Sequence, residues 1–180
     1  MAGTEYTLPR PELDKPARLL LVVAPFYRDI ADMLIEGARA EIEATGGTHE
    51  TVEVPGALEI ATAIGMADRM ADYDGYLALG CVIRGETTHY ETVCNDSSRA
   101  LTLLGLQGTL IGNGILTVEN RDQAVARADP AQMNKGAGAA AAALHLVALG
   151  RKWGGRGSGV GFLPGAGDPT SATRKDTPEA

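Results

Sequence analysis

The sequence predicts an α/β fold: a three-layer sandwich with a central, mostly parallel four-stranded sheet and helices on both faces. Three observations predict it. Short, β-rich apolar runs alternate with segments of helical period along most of the chain. The clearest runs lack polar alternation, as strands buried on both faces do. At 180 residues and 44% hydrophobic, the chain suits one domain with a substantial core. That core must be aliphatic, because aromatic residues make up only 4%.

Residues 18–24 (RLLLVVA) form the first expected strand. A helix is expected over 29–44, with Ile30, Met33, Leu34, Ala38 and Ile42 on one face, Asp29 as N-cap and Gly46-Gly47 as stop. Residues 48–54 (THETVEV) read as a second strand, ended by Pro55-Gly56. A helix over 57–71 aligns Ala57, Ile60, Ala61, Ile64 and Ala67. Residues 75–83 (GYLALGCVI) are the third strand, 91–106 the third helix and 109–116 the fourth strand. A short helix over 120–128 stops near Pro130, and an Ala-rich helix covers 135–149. Alternation of this kind builds a parallel sheet with right-handed crossovers, and the size suits a flavodoxin-like sandwich. Residues 1–17 are polar and Pro-rich and are expected to be a flexible lead-in to a domain over 18–150. Residues 151–180 are rich in Gly, Pro, Ser and Thr and are expected to be a flexible tail.

Charge and cysteine content narrow the function. A net charge of −7 argues against wrapping nucleic acid, which needs Lys and Arg to neutralise phosphates. No apolar stretch reaches the roughly 18 residues of a membrane span, and the N-terminus does not read as a signal peptide. The two cysteines, Cys81 and Cys94, form no C-x-x-C pair and read as reduced thiols. The expected setting is the cytoplasm. No His, Cys, Asp or Glu cluster has metal-ligand spacing. G-A-G-A-A-A at 136–141 matches a dinucleotide fingerprint by letters, but it follows no strand.

In open parallel sheets, ligands bind beyond the carboxyl ends of the strands. After the first strand comes A-P-F-Y; Phe26 there can stack on a flat heterocycle or simply seal the rim. After the second, V-P-G-A-L-E starts a helix whose free N–H groups can bind ligand oxygens. Glu59 in its first turn can complement the helix dipole or accept hydrogen bonds from ligand hydroxyls. After the third strand, Gly85, Glu86 and Thr87 form a turn of anion-nest type, with Thr87 adding a hydroxyl. His89 follows at the mouth of the next helix, suited to moving protons near neutral pH. Beyond the fourth strand, Arg127 and Lys135 are two cations that can pair with a phosphate. Such a rim suits a planar, hydroxylated, phosphorylated small-molecule system.

Five words come in one order: V-V-A-P-F-Y at 22–27, V-P-G-A-L-E-I at 54–60, L-G-C-V-I-R-G-E-T-T-H-Y-E-T-V-C-N at 79–95, N-G-I-L-T-V-E-N at 113–120, and Q-A-V-A-R-A with N-K-G at 123–128 and 134–136. Together they resemble the 6,7-dimethyl-8-ribityllumazine synthase family of riboflavin biosynthesis, over residues from about 18 to 149. The resemblance implies a condensation of 5-amino-6-(D-ribitylamino)uracil with 3,4-dihydroxy-2-butanone 4-phosphate. An imine forms, phosphate leaves and the ring closes with loss of water, without cofactor or metal. By position, Phe26 would stack on the pyrimidine. Ala57, Leu58 and Glu59 would hold the uracil and ribityl chain, and Cys81, Val82 and Ile83 would line the pyrimidine pocket. Glu86 and Thr87 would bind phosphate through main-chain N–H groups, Arg127 would pair with it with Lys135 nearby, and His89 would shuttle protons. Asn113 stands where many members carry an aromatic that covers the ring from a neighbouring subunit. The family assembles as homopentamers with sites between subunits, and some members close twelve pentamers into a shell of 60 subunits. A weakly active paralogue that binds flavin or lumazine, or a shell protein, is the alternative.

Overall fold

The computed structural model describes residues 8–154. Along that span run β1 (Arg18–Val23), α1 (Arg28–Glu43), β2 (Thr48–Glu53), α2 (Ala57–Met70), β3 (Gly75–Ile83), α3 (His89–Leu106), β4 (Ile111–Val118), α4 (Arg121–Ala128) and α5 (Lys135–Gly154). The strands pair in the order β2-β1-β3-β4, all parallel. One face of the sheet packs Leu19, Leu21 and Leu77 against Ile30, Leu34 and Leu144 of α1 and α5. The other packs Leu20, Val22 and Ala78 against Ile60, Ile64 and Leu101 of α2 and α3. Both faces of β1 and β3 are therefore buried, which is why their sequences are continuous apolar runs.

Strand lengths shape the carboxyl edge. Val23, the last residue of β1, pairs with Glu53 and with Leu79. The third strand runs on through Gly80, Cys81, Val82 and Ile83, flanked there by β4 alone, with Ile83 opposite Val118. The protruding end of β3 forms a ledge beside the chain ends of β1 and β2. This lies at the β1/β3 neighbourhood, where the direction of winding reverses and such sheets open a crevice.

Several expected boundaries move. Helix α1 begins at Arg28, and Asp29 is not its N-cap; Tyr27 takes that position without a side-chain cap, while Asp29 pairs with Arg121. Half-buried Tyr27 packs against the core and so fixes where the helix can start. The fourth strand is displaced by two residues: Thr109 is buried in the turn out of α3, donating its hydroxyl to Asp68 Oδ2 at 2.9 Å, and pairing begins at Ile111. Helix α3 starts two residues early, at His89. Helix α5 runs past the expected tail boundary to Gly154, because Arg151 anchors it to Asp74 and to the Lys15 carbonyl. Residues 8–17 make contacts with the sheet domain: Ala17 is buried, Leu13 packs on the core and Arg10 makes two 2.9 Å hydrogen bonds to Glu41. Residues 1–7 and the expected tail from 155 onward lie outside the described residues.

The G-A-G-A-A-A run has a packing role. A Cβ on Gly136 would fall 2.1 Å from the Leu34 carbonyl oxygen, and one on Gly112 would fall 1.9 Å from that of Ala139. These glycines let α5 lie directly on α1 and β4. Asn134, at φ 47°, turns the chain into α5 and accepts a hydrogen bond from Ala137 N with Oδ1.

Candidate active site

A cleft of about 440 Å³ opens at the carboxyl edge beside the β3 ledge. Three chain ends build it. From β1 come Ala24, Phe26 and Tyr27; from β2 come Pro55, Gly56, Ala57, Leu58 and Glu59; from β3 and the start of α3 come Cys81, Val82, Ile83, Gly85, Thr87, His89, Tyr90 and Val93.

Phe26 is 75% exposed although it is one of only two phenylalanines in the chain. Its ring meets Tyr27 edge-on, centroids 5.0 Å apart and planes at 76°. Tyr27 is braced by the core, so it presents the Phe26 ring to the cleft instead of letting it fold inward. Burial pushes the Cys81 thiol up to about 11, and the Arg121 charge only partly opposes this. The thiol stays protonated near neutrality and acts as wall, not nucleophile.

The two helices that point at the cleft begin open. Helix α2 starts after Gly56, in extended backbone, without a side-chain cap. Helix α3 starts after Thr88, again without a side-chain cap. No side chain therefore caps the first N–H groups of either, although the Glu59 N–H donates to the Gly56 carbonyl at 3.2 Å, and both starts present the positive end of the helix dipole to the cleft end of the sheet. Helix α4 differs: Asn120 Oδ1 accepts from Gln123 N at 3.0 Å. Glu59 lies in the first turn of α2, its Oε2 only 3.0 Å from where a Cβ on Gly56 would be. His89 is exposed and is the first residue of α3.

The cleft brings together Phe26, Ala57, Leu58, Glu59, Cys81, Val82, Ile83, Thr87 and His89. Four other expected site residues do not line it. Glu86 is on the same turn but exposed outside the cleft lining. Asn113 is exposed on the edge strand β4, away from its carboxyl end: it pairs with Ala78, and its Oδ1 accepts from Ile115 N. Arg127 is half-buried in the last turn of α4, donating Nη1–H to the Gln123 carbonyl at 3.1 Å. Lys135 opens α5. Helices α4 and α5 pack on the sheet face opposite α2 and α3. Within one protomer these cations are thus separated from His89 by the sheet.

Tyr90 and Val93 line the cleft and were not expected there. The signal was available: Tyr90, Val93, Ser97 and Leu101 follow a helical stripe, hidden only by starting the helix at Glu91. A larger groove of about 800 Å³ lies between α1 and β2. It has no aromatic residue, and Arg28 there is engaged by Asp32 and by Glu53, the latter at 2.7 Å. Among the described residues no group of three or more His, Cys, Asp or Glu is placed to hold a metal ion.

The sequence pattern described as 6,7-dimethyl-8-ribityllumazine synthase matches residues 16–151. The chain belongs to the 6,7-dimethyl-8-ribityllumazine synthase family. It is 54% identical to the 6,7-dimethyl-8-ribityllumazine synthase of Jannaschia sp. (strain CCS1) over 165 residues, covering 91% of this chain and 93% of that protein. The synthase of Novosphingobium aromaticivorans is 53% identical over 137 residues, 76% of this chain and 99% of its own. That of Agrobacterium fabrum is 52% identical over 149 residues, 79% of this chain and all of its own length. The match to the lumazine synthase family includes every cleft-lining segment.

Proposed function

We propose that this chain condenses 5-amino-6-(D-ribitylamino)uracil with 3,4-dihydroxy-2-butanone 4-phosphate to 6,7-dimethyl-8-ribityllumazine. One observation carries the reading beyond family membership: an exposed aromatic ring, two uncapped helix starts and a histidine converge on one cleft. The pyrimidine stacks on Phe26 over the wall formed by Cys81, Val82 and Ile83. The ribityl hydroxyls run along Ala57 and Leu58 and donate to the Glu59 carboxylate. The phosphate takes the N–H groups of the 85–88 turn, including those of Glu86 and Thr87, at the start of α3.

Between these two anchors His89 moves protons. The ring amine attacks the ketone, and water leaves as the imine forms. A proton is then lost from the butanone carbon chain as phosphate departs. The resulting enol takes up a proton at carbon to become a ketone, the exocyclic nitrogen that carries the ribityl chain attacks it, and a second water leaves. Holding both reactants in place supplies roughly 7–11 kcal/mol in well-oriented cases, and acid–base catalysis adds about 10²–10⁴-fold.

The working unit of this reading is a homopentamer in the cytoplasm, in which a neighbouring protomer brings Arg127, Lys135 and Asn113 to the cleft. Support comes from their absence from the lining of their own protomer's cleft. Acidic composition and two unpaired cysteines suit that compartment, and no described helix is long and apolar enough to cross a membrane. The domain of this reading spans 18–150, extended by the last turn of α5.

Purified protein mixed with both substrates should form the fluorescent lumazine; no product above the uncatalysed rate would reject the assignment. His89→Ala and Arg127→Ala proteins, each impaired alone, should regain activity when unfolded and reassembled together, because some mixed sites then hold both native residues. No recovery would place Arg127 in the same protomer's site or outside any site.

A further inference from the structure

We propose that Arg84 is a positioning residue for the reaction, tethering the phosphate turn and the start of α3, and with them His89, to the end of β4. The proposal rests on the functional reading above. Arg84 is the first residue after β3, and its N–H continues the ladder by donating to the Val118 carbonyl at 2.9 Å. Its guanidinium then meets three groups at once. Nε–H donates to Glu119 Oε2 at 2.7 Å, just past the end of β4. Nη1–H donates to Glu91 Oε1 in the first turn of α3. Cζ lies 4.1 Å from the centroid of the Tyr90 ring. Tyr90 itself lines the cleft, directly after His89.

The segment between these anchors has little else to hold it. Gly85, Glu86, Thr87 and Thr88 are all exposed. A Cβ on Gly85 would meet nothing within 4 Å, and Thr88 supplies no cap. An open helix start suits anion binding but leaves the turn without the usual local restraint, and the planar fork of Arg84 supplies one from the side. Two carboxylates compensate its charge and hold its basicity above the ordinary guanidinium range. It therefore acts on its neighbours and not as a further phosphate ligand.

Magnitudes separate positioning from stability. Exposed ion pairs contribute little to folding. Misplacing a reacting group by an ångström can cost on the order of 10²-fold in rate. Removing the tether should thus leave the fold intact and slow the chemistry.

The test compares the assembled wild-type protein with Arg84→Met, Arg84→Lys and Arg18→Met. Arg18 is a matched control at the other end of the sheet, where it lies 4.5 Å over the Tyr73 ring and pairs with Glu50. Arg84→Met is expected to lower kcat at least tenfold and raise KM for the butanone phosphate. KM for the pyrimidine substrate, held by Phe26, the start of α2 and the β3 wall that lies within the sheet ladder ahead of Arg84, should stay within twofold. Arg84→Lys, which cannot hold both carboxylates and stack, should recover part of the loss. Arg18→Met should keep wild-type kinetics. Amide hydrogen exchange should quicken in Arg84→Met at residues 85–92 and nowhere else. Active wild type with unchanged Arg84→Met kinetics overturns the proposal, and so does equal worsening of both KM values. Unchanged exchange at 85–92 overturns the tether whatever the kinetics. Wild type without product instead rejects the functional reading, and the exchange result still decides the tether.

Discussion

The two ends of the parallel sheet are built oppositely. At the amino end, polar groups close on each other. Arg151 donates to Asp14, to the Lys15 and Pro16 carbonyls and to Asp74, which also accepts from the Arg18 N–H at 2.8 Å. Tyr73 donates to Glu50 at 2.7 Å beneath the Arg18 guanidinium. At the carboxyl end, α2 and α3 begin uncapped, Phe26 is 75% exposed and His89 faces the cleft. The amino end ties its polar groups largely to one another, although the Arg151 Nε stays buried without a partner; the carboxyl end pairs its outer charges, as Arg84 does with Glu91 and Glu119, but leaves two helix starts, Phe26 and His89 open to a ligand. The difference teaches where stability and where catalysis should respond to mutation: the amino end in unfolding, the carboxyl end in kinetics.

The sharpest break is His89→Ala. It should lower kcat by roughly 10²-fold while proximity preserves residual turnover. The melting temperature should not move, since the side chain is exposed. An unchanged kcat would remove His89 from the chemistry.

Next comes the mirror experiment at the amino end. Arg151→Ala removes hydrogen bonds to two carboxylates and two carbonyls, and should cost about 1.5–3 kcal/mol in chemical unfolding with kcat unaltered. The partner Asp74 adds a pH signature. Burial pushes its carboxyl up, but the Arg18 N–H and the Arg151 guanidinium outweigh burial and hold it below the ordinary value. The unfolded chain therefore takes up this proton at a higher pH than the folded chain. The stabilisation is complete above the usual Asp value near ~3.9 and is lost as pH falls through the folded value. Asp74→Asn should flatten the acid limb of the stability curve; an acid limb identical to wild type would contradict the assignment.

The smallest effect is expected for Phe26→Ala. An aromatic stacking contact is worth about 0.5–1.5 kcal/mol, so KM for the pyrimidine substrate should rise roughly three- to tenfold. Stability should hold, because the ring is mostly out of the core. A loss of stability without a change in KM would make the ring a rim seal.

The same contrast explains what could be read from the sequence. Strand β3 was legible to the residue, since burial on both faces leaves an unbroken apolar run. The chain ends of β1 and β2 were legible because Pro, Gly and a rare aromatic mark them. The frame of β4 was not: Thr109 looks β-branched and strand-like, but its hydroxyl is claimed by Asp68, 41 residues away. The cleft-facing Tyr90 was hidden by a helix start placed two residues late. Arg127 and Lys135 were recognisable as cations, but the sheet face they occupy depends on α4 and α5 packing against α1, which local pattern does not encode. The grip of Arg84 on Glu91 and Glu119 joins residues 7 and 35 positions away and is equally invisible locally.

The most direct test of the carboxyl-edge site is a crystal structure of the assembled protein with 6,7-dimethyl-8-ribityllumazine bound. The ring should lie at van der Waals distance over Phe26, the ribityl chain along Ala57, Leu58 and Glu59, and His89 beside the newly closed ring. Density for the ligand in the groove between α1 and β2, with the cleft beside β3 empty, would contradict the account.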